Sequence, residues 1–288
     1  MPTKTTDTFW KRFFKGVVIA LGFILPGVSG GVLAAILGIY ERLLGFMAHF
    51  RRNFKRDFWY FVPVGLGGIV GIALLSAPLE YLLAHAQVIV LWGFAGAIIG
   101  TLPALMKTAT SRAPRDWLDG VWFFGTFIIS AGLLYFMSEL FGTLPANFGG
   151  FIVAGALIAL GVLVPGLSPS NLLLILGLFT PMLTGFKRLD IVGVYLPIAI
   201  GGILAMALFS KLMDHLLVKF HSRVYHFILG IVLASTMLIL IPNPYAAESI
   251  SYAHATLSTY LFSAIALAVG IALGYWMSAL ESKYKECH

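Results

Sequence analysis

Residues 16–47 read GVVIALGFILPGVSGGVLAAILGIYERLLGFM, and residues 150–184 read GFIVAGALIALGVLVPGLSPSNLLLILGLFTPMLT. Each stretch is apolar enough to enter a membrane, and each is interrupted near its middle by Pro-Gly. Proline removes a backbone donor and breaks a helix interior. Each stretch therefore reads as two short helices around a non-helical joint. The two align with an offset of 139: Gly16 with Gly155, Ala20 with Ala159, Gly22 with Gly161, Pro26 with Pro165, Gly27 with Gly166, Ser29 with Ser168 and Gly38 with Gly177. The likeness runs on downstream. At an offset of 134, Pro63, Gly67, Gly68 and Glu80 meet Pro197, Gly201, Gly202 and Asp214. At an offset of 140, Tyr135, Met137 and Ser138 meet Tyr275, Met277 and Ser278. The chain divides into two repeats, 1–148 and 149–288, each a broken element followed by three spans.

Composition fixes the solvent. Of 288 residues, 59% are apolar types and 11% are charged, against about 25% charged in a soluble domain. This excludes a soluble enzyme and a disordered chain. An outer-membrane barrel, with alternating strands and weak hydropathy, does not fit either. An all-α polytopic membrane protein remains, because lipid offers the backbone no hydrogen bonds. Six segments reach the roughly 20 apolar residues a span needs: 58–83, 88–106, 117–139, 191–213, 224–242 and 257–280. The net charge of +7 comes from basic residues in short loops, which points to topology and not to nucleic acid. Cys287 is the single cysteine, so neither a disulfide framework nor a Cys-based metal site is expected. Lys4, Lys11, Arg12 and Lys15 precede the first apolar stretch without a cleavage site after it, which reads as a retained N-terminus.

The basic residues also choose between crossing and turning back, since cytoplasmic loops collect them. If the broken elements are re-entrant and the N-terminus is inside, only Lys187 and Arg188 of the 19 Lys and Arg lie outside, with Arg42 inside the first hairpin. If the first element crosses, the run RRNFKR (51–56) faces outward. Two re-entrant hairpins and six spans, with both termini cytoplasmic, follow. Three spans per repeat give the halves opposite orientations, an inverted-topology repeat of the kind found in secondary transporters.

The hairpin tips are the candidate site. Ser29 and Ser168 suit an N-cap, Pro169 a first helical position, and Gly30 and Gly31 a close backbone approach. A helix N-terminus offers free N–H groups and partial positive charge to a phosphate or carboxylate. Pro26, Gly27, Ser29, Gly30 and Gly31 on one tip, and Pro165, Gly166, Ser168, Ser170 and Asn171 on the other, are expected to hold an anion near the midplane. Glu41 and Arg42 follow on the returning arm of the first hairpin. Arg42 is placed to receive an anion from the cytoplasmic side, or to pair with Glu41 and snorkel. Arg112 and Arg223 read as loop anchors. Glu80 and Asp214 read as solvated helix ends or proton carriers. His85, His215 and His226 lack metal-ligand spacing. Trp10, Trp59, Trp117, Trp122 and Trp276 sit near span ends, as an aromatic belt requires. No cofactor is implied.

The first motif, GVVIALGFILPGVSGGVLAAILGIYERLL, and the second, VPGLSPSNLLLILGL, resemble those of the bacterial polyprenyl-phosphate transporter family, PopT type, over most of the chain. The resemblance implies return of undecaprenyl phosphate, a lipid carrier of surface glycans, from the outer to the cytoplasmic leaflet of the inner membrane. Membrane lipids, and a coupling proton or sodium ion, are the partners expected. Relatives often carry a polar or acidic residue just before the first Pro-Gly, where this chain has Gly22-Phe23-Ile24-Leu25. Two other functions compete. Undecaprenyl-pyrophosphate phosphatase also has inverted repeats, but needs a basic residue beside its serine and paired glutamates. Here Gly30 follows Ser29, Pro169 follows Ser168, and no ExxxE pair occurs. A transporter of a small soluble anion fits the residues as well.

Overall fold

A computed structural model describes residues 8–24, 33–34, 37, 39, 42, 50–111, 114–141, 144–163, 169–245 and 248–286. The described residues are helical, without a strand. In chain order the helices are α1 (Phe9–Ile24), α2 (Phe50–Ala109), α3 (Trp117–Phe141), α4 (Phe148–Leu163), α5 (Pro169–Ile175), α6 (Phe179–Lys187), α7 (Leu196–Lys219), α8 (His221–Leu238) and α9 (Leu257–Glu286). A π-helical turn, Ile191–Tyr195, leads into α7.

Among the described residues, four helices are long and apolar enough to cross a membrane: Asp57–Ala109, Trp117–Phe136, Ile191–Phe209 and Leu257–Leu280. Their outer faces are apolar, with Ile128, Ile203, Leu208 and Leu257 exposed. Trp10, Trp59, Trp117, Trp122 and Trp276 are exposed as well. This is the surface of a multi-pass membrane protein. The predicted span 224–242 overlaps α8, which is 18 residues long, opens on His221-Ser222-Arg223 and is not among the four helices apolar enough to cross.

The 53 residues of Asp57–Ala109 would extend roughly 80 Å at about 1.5 Å each, far beyond the ~30 Å hydrocarbon core. The helix breaks at Ala86, where φ is −139° and ψ is 36°. The predicted spans 58–83 and 88–106 are thus the two arms of α2. Pro63, Pro78 and Pro103 lie inside it, and the break falls at none of them. Membrane helices tolerate proline where neighbours satisfy the freed carbonyls.

Both Pro-Gly motifs lie outside the described residues: α1 is described to Ile24 and α4 to Leu163, ahead of Pro26 and Pro165. The next described helix is α5, from Pro169. It ends in a left-handed Gly177, with φ at 71°. Leu176 N–H donates to Leu172 O (3.0 Å) and Leu178 N–H to Leu173 O (2.9 Å), a Schellman-type ending. At the positions 139 earlier, Leu37 N–H donates to Leu33 O (3.0 Å) and Ile39 N–H to Ala34 O (2.8 Å).

Helix pairing repeats in the same way. A Cβ on Gly16 would meet Val64 O at 2.0 Å, and one on Gly155 would meet Ile198 O at 2.0 Å. A Cβ on Gly67 would meet Phe13 O at 1.9 Å, and one on Gly201 would meet Ile152 O at 1.9 Å. So α1 lies on the first arm of α2 as α4 lies on α7. The second arm of α2 packs on α9, through Gly96 against Leu267 and Gly274 against Ala97, while α8 packs on α3 through Gly230 against Phe123. Small residues permit such close backbone approach in membranes. The centre of the molecule is α6, whose Phe179 and Leu183 are fully buried. Phe179 meets Phe94 of α2 edge-on, with ring centroids 6.3 Å apart.

Candidate functional site

Most of the predicted tip residues lie outside the described residues: Pro26, Gly27, Ser29, Gly30, Gly31, Pro165, Gly166 and Ser168, and also Glu41. Asn171 is in α5, but its side chain is not described. Ser170 is in the first turn of α5 and is buried. The polar groups that the described residues bring together form three clusters.

Arg42 belongs to the first of these clusters. Its Nε and Nη2 both donate to Asp57 Oδ1, at 3.0 and 2.8 Å. Asp57 is at the head of the span in α2 and is only 1% exposed. A buried carboxylate costs free energy unless it is hydrogen-bonded and paired, and Arg42 supplies both. The Arg42 guanidinium also lies 3.7 Å from the centre of the Tyr60 ring, and that of Arg12 lies 4.4 Å from it, a double cation–π arrangement. Two cations thus stand at the end of α2 that carries the run 51–56. The sequence pointed to Arg42 and missed Asp57, Tyr60 and Arg12. Asp57 ends a strongly basic run that reads as a topology signal and nothing more.

The second cluster surrounds α6. Thr180 and Thr184 are one turn apart and each meets a glutamate from another element. Thr184 Oγ1 donates to Glu80 Oε1 at 2.7 Å, and Lys187 pairs with Glu80. Glu80 is therefore neither a solvated end nor a free proton carrier, because α6 holds it. On the other side, Thr180 Oγ1 donates to Glu248 Oε2 at 2.9 Å, and Thr180 N–H donates to Glu248 Oε1 at 3.1 Å. Burial pushes the Glu248 carboxyl up to about 7 from its ordinary 4.5, against the opposing pull of the Thr180 donors. Thr180 occupies the place of Glu41 in the repeat, so the sequence marked this position but not its partner 68 residues away.

A third cluster ties α3 to α8. Asp116 and Asp119 cap each other's N–H groups at 2.9 and 3.2 Å, a carboxylate form of the capping box. Ser222 Oγ donates to Asp119 Oδ2 at 2.7 Å, and His226 Nδ1 lies 2.8 Å from Ser222 O. This arrangement is structural: it joins two helix starts. Among the described residues, no three of His, Cys, Asp or Glu come together in a way that would hold a metal ion.

Comparison with known proteins places the chain. A polyprenyl-phosphate transporter of Staphylococcus aureus is 27% identical over 104 residues, which is 36% of this chain and 37% of that protein. A polyprenyl-phosphate transporter of Vibrio cholerae is 26% identical over 104 residues, 36% of this chain and 32% of the relative. The match thus spans about a third of each curated relative's length. No solved structure matches. The model of one family, described as VCA0040-like, undecaprenyl phosphate translocase-like, matches residues 24–257, a segment that holds both Pro-Gly motifs and, apart from Arg12, the three clusters. The chain belongs to that family.

Proposed function

We propose that the protein carries undecaprenyl phosphate from the outer to the cytoplasmic leaflet of the bacterial inner membrane, so that the lipid carrier is used again. The family match over residues 24–257 carries this reading. The transporter names of both relatives support it.

The architecture that serves such a task is an inverted repeat of six spans and two re-entrant hairpins, with both termini cytoplasmic. Three observations support it. The glycine contacts of α1 on α2 recur in α4 on α7. The hydrogen bonds that end the first returning helix recur in the second. The second span of each repeat packs on the third span of the other. Direction agrees too. The contacts of α1 advance along α2, from Phe13 at Gly67 to Ala20 at Gly71, as expected if the chain turns back between them.

The two tips, with Ser29, Gly30 and Gly31 on one and Ser168, Ser170 and Asn171 on the other, cradle the phosphate near the midplane. Arg42, beside Arg12, provides positive charge on the cytoplasmic side. Rocking of the repeats exposes the headgroup to each leaflet in turn, while the polyprenyl tail stays in lipid. A phosphatase reading is disfavoured because neither tip serine has a basic neighbour in sequence. The test is the double variant Ser29→Ala, Ser168→Ala at normal protein level, with surface labelling of the outward-facing lipid phosphate in cells. Accumulation outside is expected, and full recycling would reject the tips as the site. Phosphate release from undecaprenyl pyrophosphate by the purified protein would reject the transporter reading.

A further inference from the structure

Glu248 lies in the loop between α8 and α9 and turns inward. It caps α6 in trans: Thr180 is the second residue of that helix, and Leu178 at the N-cap gives no side-chain acceptor. The free N–H groups of a helix start favour such an acceptor. Beyond Glu248 lies a cavity of about 20 Å³, room for about one water. Its walls include Leu91, Leu134, Leu174 and Ile175, with Asn243 and Ser249 as polar members. The loop is fastened on three sides. Gln87 Nε2 donates to Ser249 O (3.3 Å), Asn243 Nδ2 to Tyr135 O (2.9 Å), and Trp92 Nε1 to Tyr252 Oη (3.1 Å).

No salt bridge among the described residues includes Glu248. The charged and titratable groups on the elements around it are few. On α6, Lys187 is paired with Glu80 of α2, and Arg188 follows at the exposed end. α2 adds His85, exposed and stacked on Tyr81. α3 adds Tyr135 and the exposed Glu139. α5 presents Leu174 and Ile175, and the loop adds Tyr245, Tyr252 and His254. A carboxylate walled by leucines and unmatched by a cation among the described residues is suited to hold a proton, against the pull of the Thr180 donors, which favour its ionised form.

We propose that Glu248 is a proton-binding site coupled to the α8–α9 loop: it holds a proton while the loop is closed on α6, and gives it to water when the loop lifts. The sign follows from linkage. The state with the higher proton affinity is stabilised by protons, so acid favours the closed loop and alkali the open one. The carboxyl is raised from 4.5 to about 7 in the closed form, which makes closure on the order of a hundredfold weaker at alkaline pH. The coupling of proton and loop stands by itself. Its use in transport rests on the proposed translocase function, where α6 is the returning arm of the outward-entering hairpin.

Hydrogen exchange on the full chain in lipid nanodiscs tests this, at about pH 5.5 and about pH 9 with intrinsic rates corrected. In the wild type, protection of peptides over 176–187 and 248–256 is expected to fall at least about tenfold at the higher pH. Glu248→Gln, which mimics the protonated form, is expected to stay protected at both. Protection independent of pH in the wild type, or unchanged pH dependence in Glu248→Gln, would overturn the proposal. Thr180→Val gives a second reading that does not rely on that variant's folding. It removes a donor that favours the ionised form, so the midpoint should rise, and an unmoved midpoint also overturns the proposal. Absence of lipid transport in proteoliposomes with this exchange pattern intact would reject the translocase reading and leave the proton site in place.

Discussion

The repeated glycine contacts make a sharp prediction. Replace Gly67, and separately Gly201, by alanine. The added carbon would lie 1.9 Å from Phe13 O in the first case and 1.9 Å from Ile152 O in the second. Both obstacles are backbone atoms of a packed helix, so neither can swing aside. Relief requires the helices to part by more than about 1 Å, and a gap of that size forfeits roughly a quarter to a half of each dispersion contact along the interface. Overpacking of this kind costs about 1–3 kcal/mol. Gly65 and Gly120 are the controls, since a Cβ at either meets nothing within 4 Å. Alanine there should be neutral or stabilising by up to about 1 kcal/mol, through helix propensity. The assay is thermal unfolding of the four variants in detergent, followed by size exclusion. Gly67→Ala and Gly201→Ala should lose stability by similar amounts while the controls do not. Equal melting of all four would refute both the packing and its duplication.

Other perturbations follow from the clusters. Arg42→Ala removes two hydrogen bonds from the buried Asp57 and should cost about 2 kcal/mol; Arg42→Lys, which cannot bond in the same fork, should recover part of this in the same melting assay. Lys187→Gln breaks a partly exposed pair with Glu80 and should cost no more than about 1 kcal/mol, as denaturant titration would show. Glu248 has a folded-state value near 7 above its ordinary 4.5. Its contribution to stability is therefore present below about 4.5 and lost as pH rises through about 7, a change on the order of 3 kcal/mol. The difference in melting temperature between wild type and Glu248→Gln, read across that window, should grow with pH.

The matched glycines were legible because their mark is local: Gly67 and Gly201 announce contacts, as only a missing Cβ lets two backbones meet this closely. The break in α2 had no such mark. Ala86 lies in the run AHAQ, without Gly or Pro, and tertiary packing sets its backbone. The three internal prolines, which do leave a mark, do not break the helix. Among the candidate site residues, Arg42 was legible as a charge next to an apolar arm, but its partner Asp57 was hidden among the basic residues 51–56. Glu248 was not legible at all. Its meaning comes from Thr180, 68 residues away, and a contact of that separation leaves no periodic trace.

The decisive measurement is transfer of a labelled polyprenyl phosphate between the leaflets of proteoliposomes that contain the purified chain. A translocase with its site at the tips gives transfer that depends on the protein, saturates with lipid and is lost in the Ser29→Ala, Ser168→Ala double variant. Transfer no faster than in protein-free vesicles, or undiminished in that variant, would contradict it.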